Sequence, residues 1–472
     1  MSRTGRRIRV PEATRRQRTR RVDATTVLAV VLPLATVGVL TLVRPPPTHP
    51  TGQPPVLTRL TRSLVVCPGA APGSPDAAVS TTSGSSGKVT VDSGPTSRDV
   101  AVQPWASTRL PGTGTLAIKA SNALAPGLVA LRSGTAPVTG LNCTNPASDQ
   151  WFTGIGARPD HDSIIELTNP DAGPAVADIS FLAHKTFGVR KLRGITIPGH
   201  RTLTFDLRKV VPRRPLLSAH VVVSRGRLAV GVLDTSTDLV TGTVRREWLA
   251  PQRAPEQDSL LLGLPTGPGQ RTLQLANPTT DVVRAQVRVV TGDTSFVPAG
   301  LKPQSIAPGA TASLRLTSEL GKALRDGAAG IAVQATAPIT ASLLTELSKD
   351  RVLTVPDDAF AHEAATLLPV VAGSPAQHQV AARVLLAASA AGSVTVTAYD
   401  ASGAQVLHRT VGTQQDRTAS IALPPGAALV DVVPRRTKVT GSVIVTGDGA
   451  TVLPLHELLE KGLVPQISAG QD

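Results

Sequence analysis

The sequence predicts an all-β protein, an N-terminal transmembrane helix followed by tandem immunoglobulin-like β-sandwich modules. Three observations lead there. Val, Ala, Leu and Thr dominate while aromatics make up only 2%, and Gly and Pro number 41 and 40, a composition of short strands and turns. One pattern of alternating strands recurs at a spacing of roughly a hundred residues, the size of one sandwich module. An uncharged apolar run near the N-terminus follows a block of arginines.

The elements follow in chain order. Residues 1–23 form a basic cytoplasmic tail, whose nine arginines against Glu12 and Asp23 hold +7 of the chain's +15. Residues 24–43 are long enough, at about 1.5 Å per residue, to span about 30 Å of hydrocarbon as a helix. Arg44 and "PPP" after it suit no signal peptidase, so the run reads as an uncleaved single-pass anchor with the N-terminus inside and the C-terminal region extracellular, at the plasma membrane. Residues 44–56 are a stiff Pro-rich spacer. Residues 57–150 read as an irregular first β-module, with "SPDAAVSTTSGSSG" as a mobile loop. Residues 151–250, 251–360 and a divergent 361–472 read as β-sandwich modules.

The repeat supports the last three. Residues 163–181, "SIIELTNPDAGPAVADISF", align with residues 271–289, "RTLQLANPTTDVVRAQVRV", at an offset of 108. Each reads as an antiparallel strand pair broken by an Asn-Pro turn, with Arg284, Gln286 and Arg288 facing water in the later copy. Pro198-Gly199 matches Pro308-Gly309 further on, and Pro425-Gly426 takes that place in the third copy, which lacks the Asn-Pro turn. Residues 220–233 answer residues 330–344. A β-propeller would need shorter and more numerous blades. Only residues 318–326 and 455–462 ("LHELLEKG") read as short helices.

Cys67 and Cys143 are the only cysteines, and both lie outside the membrane in this topology. An oxidising compartment favours pairing them, which would close the first module.

The anchor, the spacer, "CPG" at Cys67, "LNC" at Cys143, "WFTGIG" at Trp151, "LTNPDA", "LANPTT" and "WLAP" at Trp248 occur in an order that resembles an actinobacterial family of membrane-anchored envelope proteins known as a domain of unknown function. The resemblance covers most of residues 57–460. It implies repeated β-modules outside the membrane, and it implies no activity and no functional residues.

Catalytic motifs fall short. "AHEAAT" at His362 and Glu363 resembles a zinc-protease helix, but Thr366 stands where the second histidine belongs, and in "LHELLE" Glu460 does. "SGSSGKVT" lacks the residues of a phosphate loop, no G-x-S-x-G elbow occurs, and "TGDTS" and "TGDGA" have too few carboxylates for calcium. No cofactor is implied.

One stretch remains, residues 189–214, where Arg190, Lys191, Arg193, Arg208, Lys209, Arg213 and Arg214, with Arg201, face the single acid Asp206. These could dock phosphates or carboxylates of an envelope polymer, or simply form a solvated edge that blocks sheet aggregation. The sequence therefore reads as a non-catalytic envelope protein with a structural, adhesion or ligand-binding role, or as an accessory protein of envelope glycan assembly that recognises an anionic polymer. Its partners would be the membrane and an anionic wall polymer or other envelope proteins. Nucleic acid is disfavoured by compartment and by the lack of stacking aromatics.

Overall fold

In a computed structural model, described at residues 31–36, 56–72, 74–135, 137–369 and 380–464, nearly all regular structure is β. Residues 31–36 are helical, and the rest of the expected anchor, with the tail and nearly all of the spacer, lies outside the described residues. Among the described residues no helix is long and apolar enough to cross a membrane. Residues Thr58–Gly462 form one compact unit.

Within that unit the strands gather into four successive groups. The first holds two four-stranded sheets, one containing Arg62–Cys67, Gly87–Ser93, Thr96–Val102 and Leu116–Ser121, the other Asp76–Thr81, Thr108–Leu110, Leu128–Thr135 and Val138–Asn142. This region is thus more regular than its sequence predicts. Part of the expected mobile loop is the paired strand Asp76–Thr81, whose alternating Ala77 and Val79 are buried. Its small apolar residues support a strand although its flanks look like linker.

The second group is a nine-stranded sheet from Asp149–Ala157 to Val244–Leu249, and the third an eight-stranded sheet from Glu256–Leu262 to Arg351–Thr354. Both fold over a core by changing layers. In the third group Ala328–Leu347 pairs through its first half with Glu256–Leu262 and Val283–Thr291, and through its second half with Gly269–Ala276 and Arg351–Thr354. Leu273, Leu275, Val287, Val289, Ile331 and Leu343 meet in the core between those layers. In the second group the aligned segment is divided by Gly226 into Arg214–Arg225 and Ala229–Thr237.

The strands flanking each Asn-Pro turn do not pair with one another, contrary to the sequence expectation. His161–Asn169 pairs with Arg201–Asp206 and Ala229–Thr237, whereas Ala175–Leu182 pairs with Arg214–Arg225. The turn is therefore a crossing from one layer to the other. Alternation is as expected, since Val283, Ala285, Val287 and Val289 are buried, Arg284 is exposed, and Gln286 and Arg288 are half-buried.

The fourth group pairs Ala364–Leu367, Gly392–Asp400, Gln405–Thr413 and Ala427–Arg435 in one sheet, and Ala381–Ala388, Thr418–Ala422, Val439–Gly447 and Gly449–Pro454 in another. The segment expected as a terminal helix, residues 455–462, is extended instead, and His456–Glu457 pairs with Ala364–Leu367. Sheet pairing there outweighs the helix propensity of its Leu and Glu residues. The other expected helix forms, as Thr317–Arg325.

The last strands of the first three groups, Val138–Asn142, Val244–Leu249 and Arg351–Thr354, pack against one another and against Gly449–Pro454 round a common centre. Gly140 shows how close they come, because a Cβ there would stand 3.0 Å from Leu453 Cδ2.

Candidate functional site

The basic residues of 189–214 fall into different local settings. Arg190 and Lys191 are exposed on a single 3-10 turn, and Arg193 follows it, its guanidinium lying against Gly188. Arg214 stacks over the Phe187 ring at 5.2 Å. Arg208, however, sits 3.4 Å from Asp162 and 3.5 Å from Asp206, and Lys209 lies 3.5 Å from Asp206. Arg213 adopts a φ of 65°, its N–H bonded to Ala157 O at 2.9 Å. Among the described residues no ion pair engages Arg190, Lys191, Arg193, Arg213 or Arg214, so the stretch holds free cations beside neutralised ones.

Cys67 and Cys143 form a disulfide across 76 positions. It ties the two sheets of the first group together, since Cys67 ends one strand and Cys143 directly follows Val138–Asn142 in the other sheet. Closing a loop of this length removes chain entropy worth about 4 kcal/mol from the unfolded state.

His362 is exposed and contacts Glu457, while Glu363 hydrogen-bonds to the buried Asp431. Burial and the Glu363 charge push the Asp431 carboxyl up to about 8, as expected of two carboxyls that share a proton. Asp448, in one of the Gly-Asp turns, simply joins Val439–Gly447 to Gly449–Pro454. Among the described residues no three His, Cys, Asp or Glu side chains group as metal ligands.

A cavity of about 300 Å³ lies where the connections between groups converge. It is lined by residues 143–147, 250–254 and 355–358, which link consecutive groups, and by residues 454 and 456–459 at the end of the fourth. Each of these segments contributes a proline, namely Pro146, Pro251, Pro356 and Pro454. Proline has no N–H to donate to a ladder, and along the cavity wall regular pairing gives way to single bridges such as Ala147 to Leu228 and Gln252 to Trp151. The volume is at the small end of ligand pockets, which run from about 300 to 1,000 Å³.

Much of the polar floor is already bonded. Asn142 Nδ2 donates to Pro454 O at 2.7 Å, and Asn142 Oδ1 accepts from Thr366 at 2.8 Å. Gln252 exchanges two bonds with the Ala341 backbone at 2.8 and 3.1 Å. Asp357 differs, because its Oδ2 is buried without a hydrogen-bond partner. Burial, reinforced by Asp358, holds its carboxyl well above the ordinary carboxylate range. Burial and Arg253 lower the half-buried His456 to about 4. Neither residue stood out in the sequence. The proline that recurs at or shortly after the closing strands was the available signal.

Fold and site together define a disulfide-linked, nearly all-β protein with a cavity at the junction of its sheet groups. The chain belongs to the family of unknown function DUF5719, whose sequence pattern matches residues 100–424. No curated protein matches it. Among solved structures it has a faint likeness to an alpha-L-rhamnosidase of Streptomyces avermitilis complexed with L-rhamnose. The two share 9% identity and a TM-score of 0.13 over 81% of this chain and 57% of that one, too low to carry any argument.

Proposed function

We propose that the protein is a single-pass, outward-facing binding scaffold of the cell envelope, made of tandem immunoglobulin-like sandwiches and holding a ligand in the cavity at their junction. The cavity carries this reading. Each connection between sheet groups borders it, so its walls are fixed by the whole unit, as preorganised binding requires. The disulfide supports an oxidising compartment, and the arginine block before residues 24–43 supports the anchor. In this role the protein binds without turning its ligand over.

The test uses the immobilised full chain and solubilised envelope fragments. Ala254→Trp, at the exposed rim, should block retention of those fragments and leave the far-UV spectrum unchanged. Undiminished retention would remove the cavity reading.

A second reading, recognition of an anionic polymer by an accessory protein of glycan assembly, is favoured by the unpaired Arg190, Lys191 and Arg193. In the same assay, serine at all three positions would then lower retention and flatten its salt dependence, because fewer counterions are released.

A further inference from the structure

In the fourth group, the sheet that holds Ala364–Leu367 ends in Gln405–Thr413, which pairs on one side with Gly392–Asp400 and among the described residues carries no strand on the other. At nine residues it is the longest edge strand among the described residues. Native sheets usually blunt such an edge by keeping it short, or with proline or bulges. This strand is long and has no proline, and its ladder shifts only at Val406, so residues 407–413 form a regular open row.

The side chains of that row alternate between the two faces. Leu407, Arg409 and Val411 stand opposite Ala398, Val396 and Val394, all fully buried, and so share the face turned to the core. His408 and Thr410 stand opposite Thr397 and Thr395 on the other face. Leu407 and Val411 pack against the core of the group yet stay half-buried, because the sheet stops at their strand. Arg409 lies between them, exposed, and among the described residues no ion pair engages it.

We infer that Gln405–Thr413 is a docking edge for an extended segment of another protein, which adds an antiparallel strand and sets an acidic side chain, flanked at alternate positions by apolar ones, against Arg409, Leu407 and Val411. Main-chain bonds supply affinity in this mode, and the alternating side chains supply specificity. The acid forms a cross-strand pair with Arg409, while its apolar neighbours continue the core over Leu407 and Val411. This surface is separate from the cavity, none of whose lining residues belongs to the strand.

Other occupants fit worse. Two copies of this edge, paired about a two-fold axis so that Leu407 meets Val411, would set Arg409 directly against Arg409, and like charges in that position repel. A wholly apolar strand would strip water from Arg409 and offer it no partner. An inward charge can serve simply to keep an edge from sticking. That role explains the arginine, but not two core-packed apolar side chains left half-buried along so long an edge.

The probe is the capped, fluorescein-labelled peptide Thr-Val-Thr-Glu-Thr-Val-Thr, titrated with the full chain and read by fluorescence anisotropy. A second peptide carries Lys in place of Glu. The Glu peptide should bind with a Kd below about 1 mM, and at least about tenfold more tightly than the Lys peptide. Arg409→Glu should reverse that order, which a mere loss of structure could not do. Methylating alternate backbone nitrogens of the Glu peptide should abolish binding in one set and spare it in the other, because only one edge of an added strand faces the sheet. If Arg409→Glu does not fold, Arg409→Gln decides, since the two peptides should bind it alike. No binding of the Glu peptide would overturn the inference and leave Arg409 as a guard of the edge. Equal binding of the two peptides by the wild type, an unchanged order in Arg409→Glu, or equal effects of the two methylations would overturn it as well. Self-association of the full chain that the Glu peptide competes away would give the edge to a second copy, which also refutes it.

Discussion

At the scale of single residues, the clearest consequence is a dependence of stability on acid. His456 titrates near 4 in the folded protein against 6.5 ordinarily, because burial and then Arg253 disfavour its charged form. Between those values the unfolded chain binds a proton that the folded chain does not. Stability is therefore complete above pH 6.5 and falls as the pH drops towards 4, by up to about 3 kcal/mol over the full shift. The expected outcome is that urea unfolding of His456→Gln loses less stability than the wild type between pH 7.5 and 4.5. Equal losses would show that His456 does not carry the effect. Asp431 works in the opposite sense. Raised to about 8, it favours the fold at low pH and weakens it as the pH rises towards that value, but it does so equally in both proteins and drops out of the comparison.

At the scale of elements, the Asn-Pro turns show what the repeat is for. Asn169 Nδ2 donates to Gly173 O at 2.8 Å, Ile197 O at 3.0 Å and Pro198 O at 3.3 Å, while its Oδ1 accepts from Asp171 N at 3.0 Å. Asn277 makes the matching bonds to Asp281 O, Ile306 O and Ala307 O at 2.7, 3.1 and 3.1 Å, and accepts from Thr279 N at 2.9 Å. One buried amide thus closes its own turn and pins the Pro-Gly loop, where Gly309 has a φ of 61°. Asn277→Ala should cost on the order of 3 kcal/mol in chemical denaturation, since several buried carbonyls lose their donor, whereas Pro278→Ala should cost under about 1 kcal/mol. Similar losses for the two would refute the pinning role. The Asn-Pro and Pro-Gly positions were legible because they are local. What was not legible is pairing at a distance. Alternation shows which residues face inward but not which strand lies alongside, so the layer crossing at Asn169 passed for a hairpin. The helical pattern of "LHELLE" likewise could not reveal that Ala364–Leu367 offers a sheet edge to His456–Glu457. The cavity was hidden for the same reason, being assembled from segments as far apart as residues 143 and 457.

For the whole molecule, the decisive links are buried polar ties between groups that sequence shows only as isolated charges. Arg351, 1% exposed, closes the third group and reaches into the second, where Asp234 is fully buried. Burial opposes the Asp234 charge, but Arg351 and His161 outweigh it and hold the carboxyl at about 2. Arg351 Nη1 also donates to Glu346 at 3.0 Å, and His161 Nε2 lies 3.0 Å from Asp234. Removing one partner leaves the other charged in a dry interior, so Arg351→Met should cost about 3–5 kcal/mol. Adding Asp234→Leu should recover part of that loss, because the orphaned charge goes too. Other ties between these groups survive in Arg351→Met, among them Thr153 to Thr340 at 2.6 Å and Gln252 to the Ala341 backbone. Unfolding should consequently stay one cooperative transition, with tryptophan fluorescence, two of whose three sources, Trp151 and Trp248, lie in the second group, shifting together with far-UV circular dichroism, which reports every group. A double variant less stable than Arg351→Met would mean that the buried charge is not what the arginine compensates. Separation of the two signals in the single variant would mean that Arg351 alone joins the second group to the third.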